Sequence, residues 1–189
     1  MAYITVPEGL PGIRGLLTFS PETAKPMGEL AQTLMRGASP LTMAQREMIA
    51  AFVSSRNHCD YCDRCHTAIA AEHLGGSDDD YALLQQVRRD PEGAPISAKM
   101  KALLAIAGKV QQDGKLVTAA DVERARAEGA TDKEIHDVVL IAAAFCMFNR
   151  YVDGLGTWQP DDPPFYKEAG RMTAERGYTN REPYRPLER

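Results

Sequence analysis

The sequence predicts an all-α fold, and three observations carry that prediction. Apolar residues recur at helical spacing through most of the chain, and Ser or Thr stands three positions ahead of Gln, Glu or Asp where several of those runs begin. No segment shows the alternation of a strand. A chain of 189 residues with 44% hydrophobic and 25% charged side chains is long enough and apolar enough for one buried core. A net charge of −4 and a pI near 5.6 argue against a nucleic-acid binder, which needs a basic face.

The elements follow in order. Residues 1–20, with Pro7, Gly9, Pro11, Gly12 and Gly15, read as an extended, wrapping segment. Pro21 to Arg36 carries Leu30, Leu34 and Met35 at helical spacing and stops at Gly37. Thr42 and Gln45 form a capping box that opens a helix with Met48, Ile49, Phe52 and Val53 on one stripe, ending near Asn57. A second helix is expected to begin at about His58 or Cys59, to bury Ala68, Ile69 and Ala70, and to close at Gly75-Gly76. Asp78 to Arg89 and Ser97 to Gln111 are further helices, and Thr118 with Asp121 offers another capping box. Thr131 with Glu134 opens the most apolar helix, Ile135 through Tyr151, which ends before Gly154 and Gly156. Residues 42–74 and 97–151 read as helix pairs, a degenerate duplication of hairpins.

This gives two parts: a helical domain over 1–156 with its extended N-terminal segment, and a tail over 157–189. The tail is polar and Pro-rich yet keeps Trp158, Phe165, Tyr166, Tyr178 and Tyr184, so it is expected to pack on the domain or on a neighbouring subunit. No apolar run approaches the roughly 18–20 residues that span a bilayer. The first seven residues lack the basic-then-apolar order of a signal peptide, so the expectation is a cytoplasmic protein with no membrane and no nucleic-acid partner.

Chemistry concentrates in Cys59-Asp60-Tyr61-Cys62-Asp63-Arg64-Cys65-His66, which holds three of the four cysteines. In a reducing compartment such clustering points to catalysis or metal binding rather than a structural staple. On a helix, Cys59, Cys62 and His66 fall at about 0°, 300° and 340°, on one stripe, with Cys65 at roughly 240°, at its edge or off it. Glu47 joins them only if the chain reverses between the two helices, and Ser54-Ser55-Arg56-Asn57 is the expected place. Thiols in the first turn of a helix feel its positive end, which lowers their pKa toward neutrality. A nearby imidazole can take the proton and a carboxylate can orient that imidazole. A thiolate so formed can attack a peroxide, and its partner can resolve the sulfenic acid to a disulfide. A metal site stays open beside this reading: C-x-x-C-x-x-C resembles part of an iron–sulfur run, and zinc on Cys59, Cys62 and His66 is sterically allowed. A redox-sensing interaction protein is a further alternative.

Glu47, Cys59-x-x-Cys62-x-x-x-His66 and the flanking Leu41-Thr42, Arg46-Glu47-Met48-Ile49 and Ala68-Ile69-Ala70 resemble alkyl hydroperoxidase D-like proteins of the carboxymuconolactone decarboxylase superfamily. The peroxidase-related branch is the nearest likeness. Phe148-Asn149-Arg150-Tyr151 with Leu155-Gly156, and Arg171 with Glu175-Arg176-Gly177-Tyr178, are similar to it as well. The resemblance implies an all-α, obligately oligomeric thiol peroxidase or disulfide reductase without a cofactor. It would act on a small hydroperoxide and draw electrons from a dithiol or protein donor. It matches Cys62 to the sulfenic-acid-forming cysteine, Cys59 to the proton-donating, resolving one, and Glu47 and His66 to a proton relay. The founding hydroperoxidase has a histidine where this chain has Tyr61, and Cys65 is a thiol with no counterpart role. Other branches are cofactor-free decarboxylases or lactone-processing enzymes, in which the cysteines would be bystanders. Of the remaining residues, His58 and His73 read as surface, His136 as an early-helix polar residue, Cys146 as a core thiol, and Asn149 and Arg150 as capping or pairing groups.

Overall fold

The computed structural model describes residues 2–179, so Tyr184 lies outside the described residues. Among them the chain forms α-helices and one 3₁₀ turn, with no strand. α1 spans Ile13–Phe19, α2 Pro21–Arg36, α3 Met43–Arg56, α4 Asp60–Leu74, α5 Asp78–Arg89, α6 Ala98–Gln112, α7 Ala119–Ala127, α8 Asp132–Gly154 and α9 Pro163–Arg176.

Capping chemistry sets many of these starts. Thr42 accepts from the Gln45 amide at 3.2 Å while Gln45 accepts from the Thr42 amide at 2.9 Å. The same exchange joins Thr131 and Glu134 at the head of α8. At Thr118, Asp121 accepts from both the amide and the hydroxyl.

α3 is buried on nearly every side, from Arg46 through Ser54, and so forms the axis of the bundle. α4 and α8 lie against it, α6 packs on α3 and α8, and α9 covers α4. Ile49, Val53, Leu103, Leu104, Ile106 and Ile141 are shut off from solvent in this core. Each such side chain contributes about 1.5–3 kcal/mol by leaving water.

Four expectations need correction. The first 20 residues are not wholly extended: Ile13–Phe19 is helical, anchored where the Gly12 amide donates to Trp158 at 2.8 Å. Gly12 is required there, because φ is +54° and a Cβ would fall 2.3 Å from the Tyr61 ring. The tail contains a helix, α9, which the prolines at its first turn start rather than prevent. Residues 97–151 are not a simple helix pair, since Gly114–Leu116 and α7 stand between α6 and α8. Finally, α8 runs through Gly154, and it is long and apolar enough to cross a membrane by length and composition alone. Half of its apolar window is buried in this bundle, as befits a core helix.

α4 and α9 approach closely. A Cβ at Gly170 would sit 2.6 Å from Cβ of Ala68 and 2.9 Å from its carbonyl carbon. Only glycine at 170 permits that crossing.

Candidate active site

The reversal that the cysteine motif needs is a helix-ending turn. The Cys59 amide donates to the Ser54 carbonyl at 3.0 Å and the His58 amide to Ser55 at 3.1 Å, with His58 left-handed at φ 59°. This is a Schellman closure, with histidine in the place that glycine usually takes. It turns α4 back along α3 and leaves Cys59 as the residue that caps α4.

Cys59 is fully buried, Cys62 nearly so, and Cys65 half-buried; no disulfide joins them. Cys62 faces a cavity of about 90 Å³ that Cys65 and His66 also line, with Phe145, Phe148 and Tyr178 among its walls. Cys59 does not line it. Cys65, expected at the edge of the stripe or off it, therefore does reach the cavity. Asp63 is turned away from the thiols, its carboxylate held by Arg88 and the Thr67 hydroxyl.

The expected lowering of thiol pKa does not hold for Cys62. Its thiol is pushed well above the usual range, first by its hydrogen bond to Cys59, then by burial and by the negative charges that Cys59 and Cys65 can carry. A hydrogen bond with Asn149 acts the other way. The neighbouring Cys59 thiol, with burial behind it, outweighs the helix end that the sequence argument relied on.

Glu47 and His66 meet. Nδ1 of His66 lies 2.7 Å from Oε2 of Glu47, whose side chain is sealed from solvent. Arg36 and the Tyr178 hydroxyl both donate to Oε1, each at 2.7 Å. Burial pushes the Glu47 carboxyl up, but the His66 hydrogen bond and charge, with Arg36 and Tyr178, outweigh it and hold it below the ordinary carboxylate value. An ionised carboxylate only accepts, so Nδ1 of His66 carries its proton toward Glu47 and Nε2 is left as the basic nitrogen. The ring stacks on Tyr178 at 6.2 Å and meets the edge of Phe145 at 4.5 Å, which fixes its plane.

Behind the cysteines runs a chain of amides. Gln111 donates to Asn57 at 2.9 Å, Asn57 to Oδ1 of Asn149 at 2.8 Å, and Nδ2 of Asn149 to Ser54 at 3.1 Å. Asn149 is fully buried, whereas Arg150 is exposed and donates to the Cys146 carbonyl. Cys146 is half-buried, its sulfur between Asn57 and the Gln111 carbonyl. His58 is exposed; His73 is partly buried, and burial lowers its pKa.

Arg36 and Tyr178 are the partners that residue patterns alone did not single out for a role. Arg36 reads as the end of a helix, and nothing local announces that it neutralises a carboxylate eleven residues on. The signal for Tyr178 was its place in the Glu175-Arg176-Gly177-Tyr178 run. Among the described residues, no group of three or more His, Cys, Asp or Glu is arranged to hold a metal ion.

A helical bundle with a thiol pair at the head of one helix and a buried Glu–His pair beside it defines a class. Residues 21–107 match the model of the carboxymuconolactone decarboxylase family. The fold is similar to that of an uncharacterized peroxidase-related protein from Silicibacter sp. TM1040, at 28% identity and TM-score 0.74 over 85% of this chain and 81% of that one. It is also similar to an alkylhydroperoxidase AhpD core, an uncharacterized peroxidase-related protein from Ralstonia eutropha JMP134, at 26% identity and TM-score 0.77 over 90% and 96%. A protein of unknown function from Agrobacterium tumefaciens, at 21% identity and TM-score 0.65 over 78% and 97%, shares the fold. No curated protein matches the chain. The family match over residues 21–107 and the fold shared with the two peroxidase-related proteins support the superfamily of alkyl hydroperoxidase D and carboxymuconolactone decarboxylase.

Proposed function

We propose that this protein is a thiol-dependent peroxidase, a disulfide oxidoreductase that reduces hydroperoxides through Cys62 and Cys59. The observation that carries the reading is the wall shared by Cys62 and His66 in an apolar cavity, with His66 tied to the buried Glu47. The names of the two peroxidase-related relatives agree with it.

The chemistry follows from access and proton affinity. A peroxide entering the cavity meets Cys62 and not Cys59, so Cys62 is the attacking thiol. Because Cys62 holds its proton firmly, attack needs a base, and Nε2 of His66, one turn further along α4, is the basic nitrogen on the same wall. Glu47 stabilises the imidazolium that results. The Cys62 sulfur takes the distal oxygen, the O–O bond breaks, and His66 returns the proton to the departing alkoxide. Cys59 then attacks the sulfenic acid, the S–O bond breaks, water leaves and a Cys59–Cys62 disulfide forms. A dithiol, small or protein-borne, reopens it in a reducing compartment such as the cytoplasm.

Stopped-flow oxidation of the reduced protein with hydrogen peroxide and a panel of alkyl hydroperoxides tests this. The expected result is saturable loss of two thiols per chain and a mapped Cys59–Cys62 bond. Peroxide-independent thiols, with normal folding, would overturn it.

A further inference from the structure

Cys65 is the thiol that the chemistry above leaves unused. It lies three residues beyond Cys62, as Cys59 lies three residues before it, so the chain holds two overlapping C-x-x-C pairs with Cys62 common to both. Cys62, Cys65 and His66 line one cavity, which Cys59 does not reach. Cys65 also packs against the small cluster in which Cys59, Cys62, Val152 and Tyr166 are buried. The three side chains are gathered at one place in the fold, and they differ in access. Cys59 is 0% exposed and Cys62 4%, whereas Cys65 is only half-buried.

That gradient bears on how the enzyme is reduced. A Cys59–Cys62 disulfide has one sulfur shut in the cluster and the other at a cavity of about 90 Å³ walled by Phe145, Phe148 and Tyr178. Thiol–disulfide exchange needs the incoming sulfur against one of the bonded sulfurs, and a protein-borne dithiol is too large to enter that space. Resting on the peroxidase reading above, we infer that Cys65 is the relay through which electrons enter: it exchanges with the buried Cys59–Cys62 disulfide and meets the external dithiol at the surface. Cys65 stands one turn beyond Cys62 and Cys59 one turn before it. The entering and leaving sulfurs thus approach the central one from opposite ends of the helix axis, as an in-line exchange requires.

The steps balance. Cys65 gives its proton to water and its thiolate attacks the Cys62 sulfur. The Cys59–Cys62 bond breaks, and the departing Cys59 thiolate takes up a proton. A thiolate of the donor then attacks the Cys65 sulfur, the Cys62–Cys65 bond breaks, and Cys62 recovers its proton. The donor's second thiolate attacks the donor sulfur of the mixed disulfide, which frees Cys65 and releases the donor as its own disulfide. Two electrons pass from donor to protein.

The backbone gives the two pairs different tasks. Cys59 precedes α4 with φ −89° and ψ 86°, outside the helical geometry, and so can adjust to Cys62. Cys62 and Cys65 both lie inside α4, where Cβ atoms three residues apart stand about 5–6 Å from each other. A relaxed disulfide holds them at about 3.5–4.5 Å. Closing Cys62 on Cys65 therefore requires that turn to tighten toward the 3₁₀ form, in which side chains at i and i+3 eclipse. The Cys62–Cys65 bond is the strained one, and strained, accessible disulfides are the readily reduced ones.

The test uses full-length protein oxidised with diamide, so that it does not depend on peroxide. Glutathione, a tripeptide too large for the cavity, is added in excess, and the mixture is quenched in acid and mapped. The glutathione adduct should sit on Cys65; an adduct on Cys62 or Cys59 would overturn the relay. Cys65→Ser and Cys65→Ala should slow reopening of the Cys59–Cys62 bond by glutathione at least tenfold while leaving its closure by diamide unchanged. An unchanged reopening rate in these variants would overturn it as well, and this comparison decides the matter if the adduct is too short-lived to catch. In Cys59→Ser, diamide should join Cys62 to Cys65, and two persistent free thiols there would refute the pairing. If peroxide fails to oxidise the wild type while the bond made by diamide still reopens through Cys65, the peroxidase reading falls and the relay stands.

Discussion

Tyr178 donates its hydroxyl to Oε1 of Glu47 at 2.7 Å across 131 residues of sequence, and so ties the end of the described chain to the centre of the bundle. Together with Arg36 and His66 it makes Glu47 a buried carboxylate whose hydrogen-bonding capacity is met on both oxygens. A charge in such a place is stable only while its partners are present.

Tyr178→Phe should therefore cost about 1.5–3 kcal/mol, the usual worth of a hydrogen bond to a charged group. Arg36→Met should cost more, about 3–5 kcal/mol, because it leaves a buried charge uncompensated. Urea titration reads both. Adding Glu47→Gln to Arg36→Met should recover part of the loss, and a strictly additive double variant would contradict this account of the cluster.

Glu47→Gln alone should slow peroxide-dependent oxidation of Cys62 about 10²–10⁴-fold, the span typical of losing general-base assistance. The check is the pH dependence of the oxidation rate near neutrality. A profile superimposable on that of wild type would remove Glu47 from the chemistry.

Much of this was readable in the sequence, and the reasons for the exceptions are physical. Capping pairs at Thr42, Thr118 and Thr131 are local chemistry, so they announce their helices directly. The Glu47–His66 meeting was also reachable, since helical spacing and one reversal suffice to bring them level. What could not be read is whatever depends on packing. That a thiol at a helix head is pushed up rather than down depends on how Cys59 meets Cys62 and then on how deeply Cys62 is buried, which no spacing reveals. α9 was hidden because Pro163 and Pro164 look like helix breakers until the chain places them in a first turn. Asn149 looked like a cap because its partners, Ser54 and Asn57, are contributed by another helix.

Acid should destabilise the fold in a defined window. Glu47, Glu134 and Asp137 all lie below their ordinary values, burial being opposed by His66 and Arg36, by Lys99 and Thr131, and by Lys133, Ser39 and His136 respectively. Each binds its proton more weakly folded than unfolded, so its contribution is present above the unfolded value of about 4.5 or below and is lost as pH falls through the folded one. Asp121, drawn down to about 2 by Lys109 and Thr118, extends the loss to lower pH, though solvent screening keeps its share small. Urea midpoints should begin to ease down below about 6.5, where His73, held low by burial, starts to lose its contribution, and should fall steeply below about 4.5. Glu47→Gln should flatten that fall.

Cys65→Ala should retain peroxide-dependent closure of Cys59 with Cys62. Cys65 lines the cavity, but Cys62 already has a partner at the helix head. Peptide mapping after one equivalent of peroxide decides it, and loss of the Cys59–Cys62 bond in this variant would make Cys65 a working thiol.

The protein should be a homo-oligomer. Phe19, Leu140, Met147 and Met172 are exposed, and Leu140 and Met147 lie two turns apart along α8, on one face. Light scattering should give a mass at least twice 20.7 kDa. Truncation after Gly156 should lower stability, since it removes both α9 from α4 and Tyr178 from Glu47. A well-folded monomer at micromolar concentration would refute the oligomer.

The close crossing at Gly170 reaches beyond packing. Any side chain there must lever α9 off α4, and α9 is the arm that carries Tyr178 to Glu47. Position 170 bears no reactive atom, yet a single methyl group added to it would loosen the carboxylate that orients His66. Sequence drift at this silent glycine would thus be felt as a change in catalytic competence, and selection on the chemistry would reach a residue that takes no part in it.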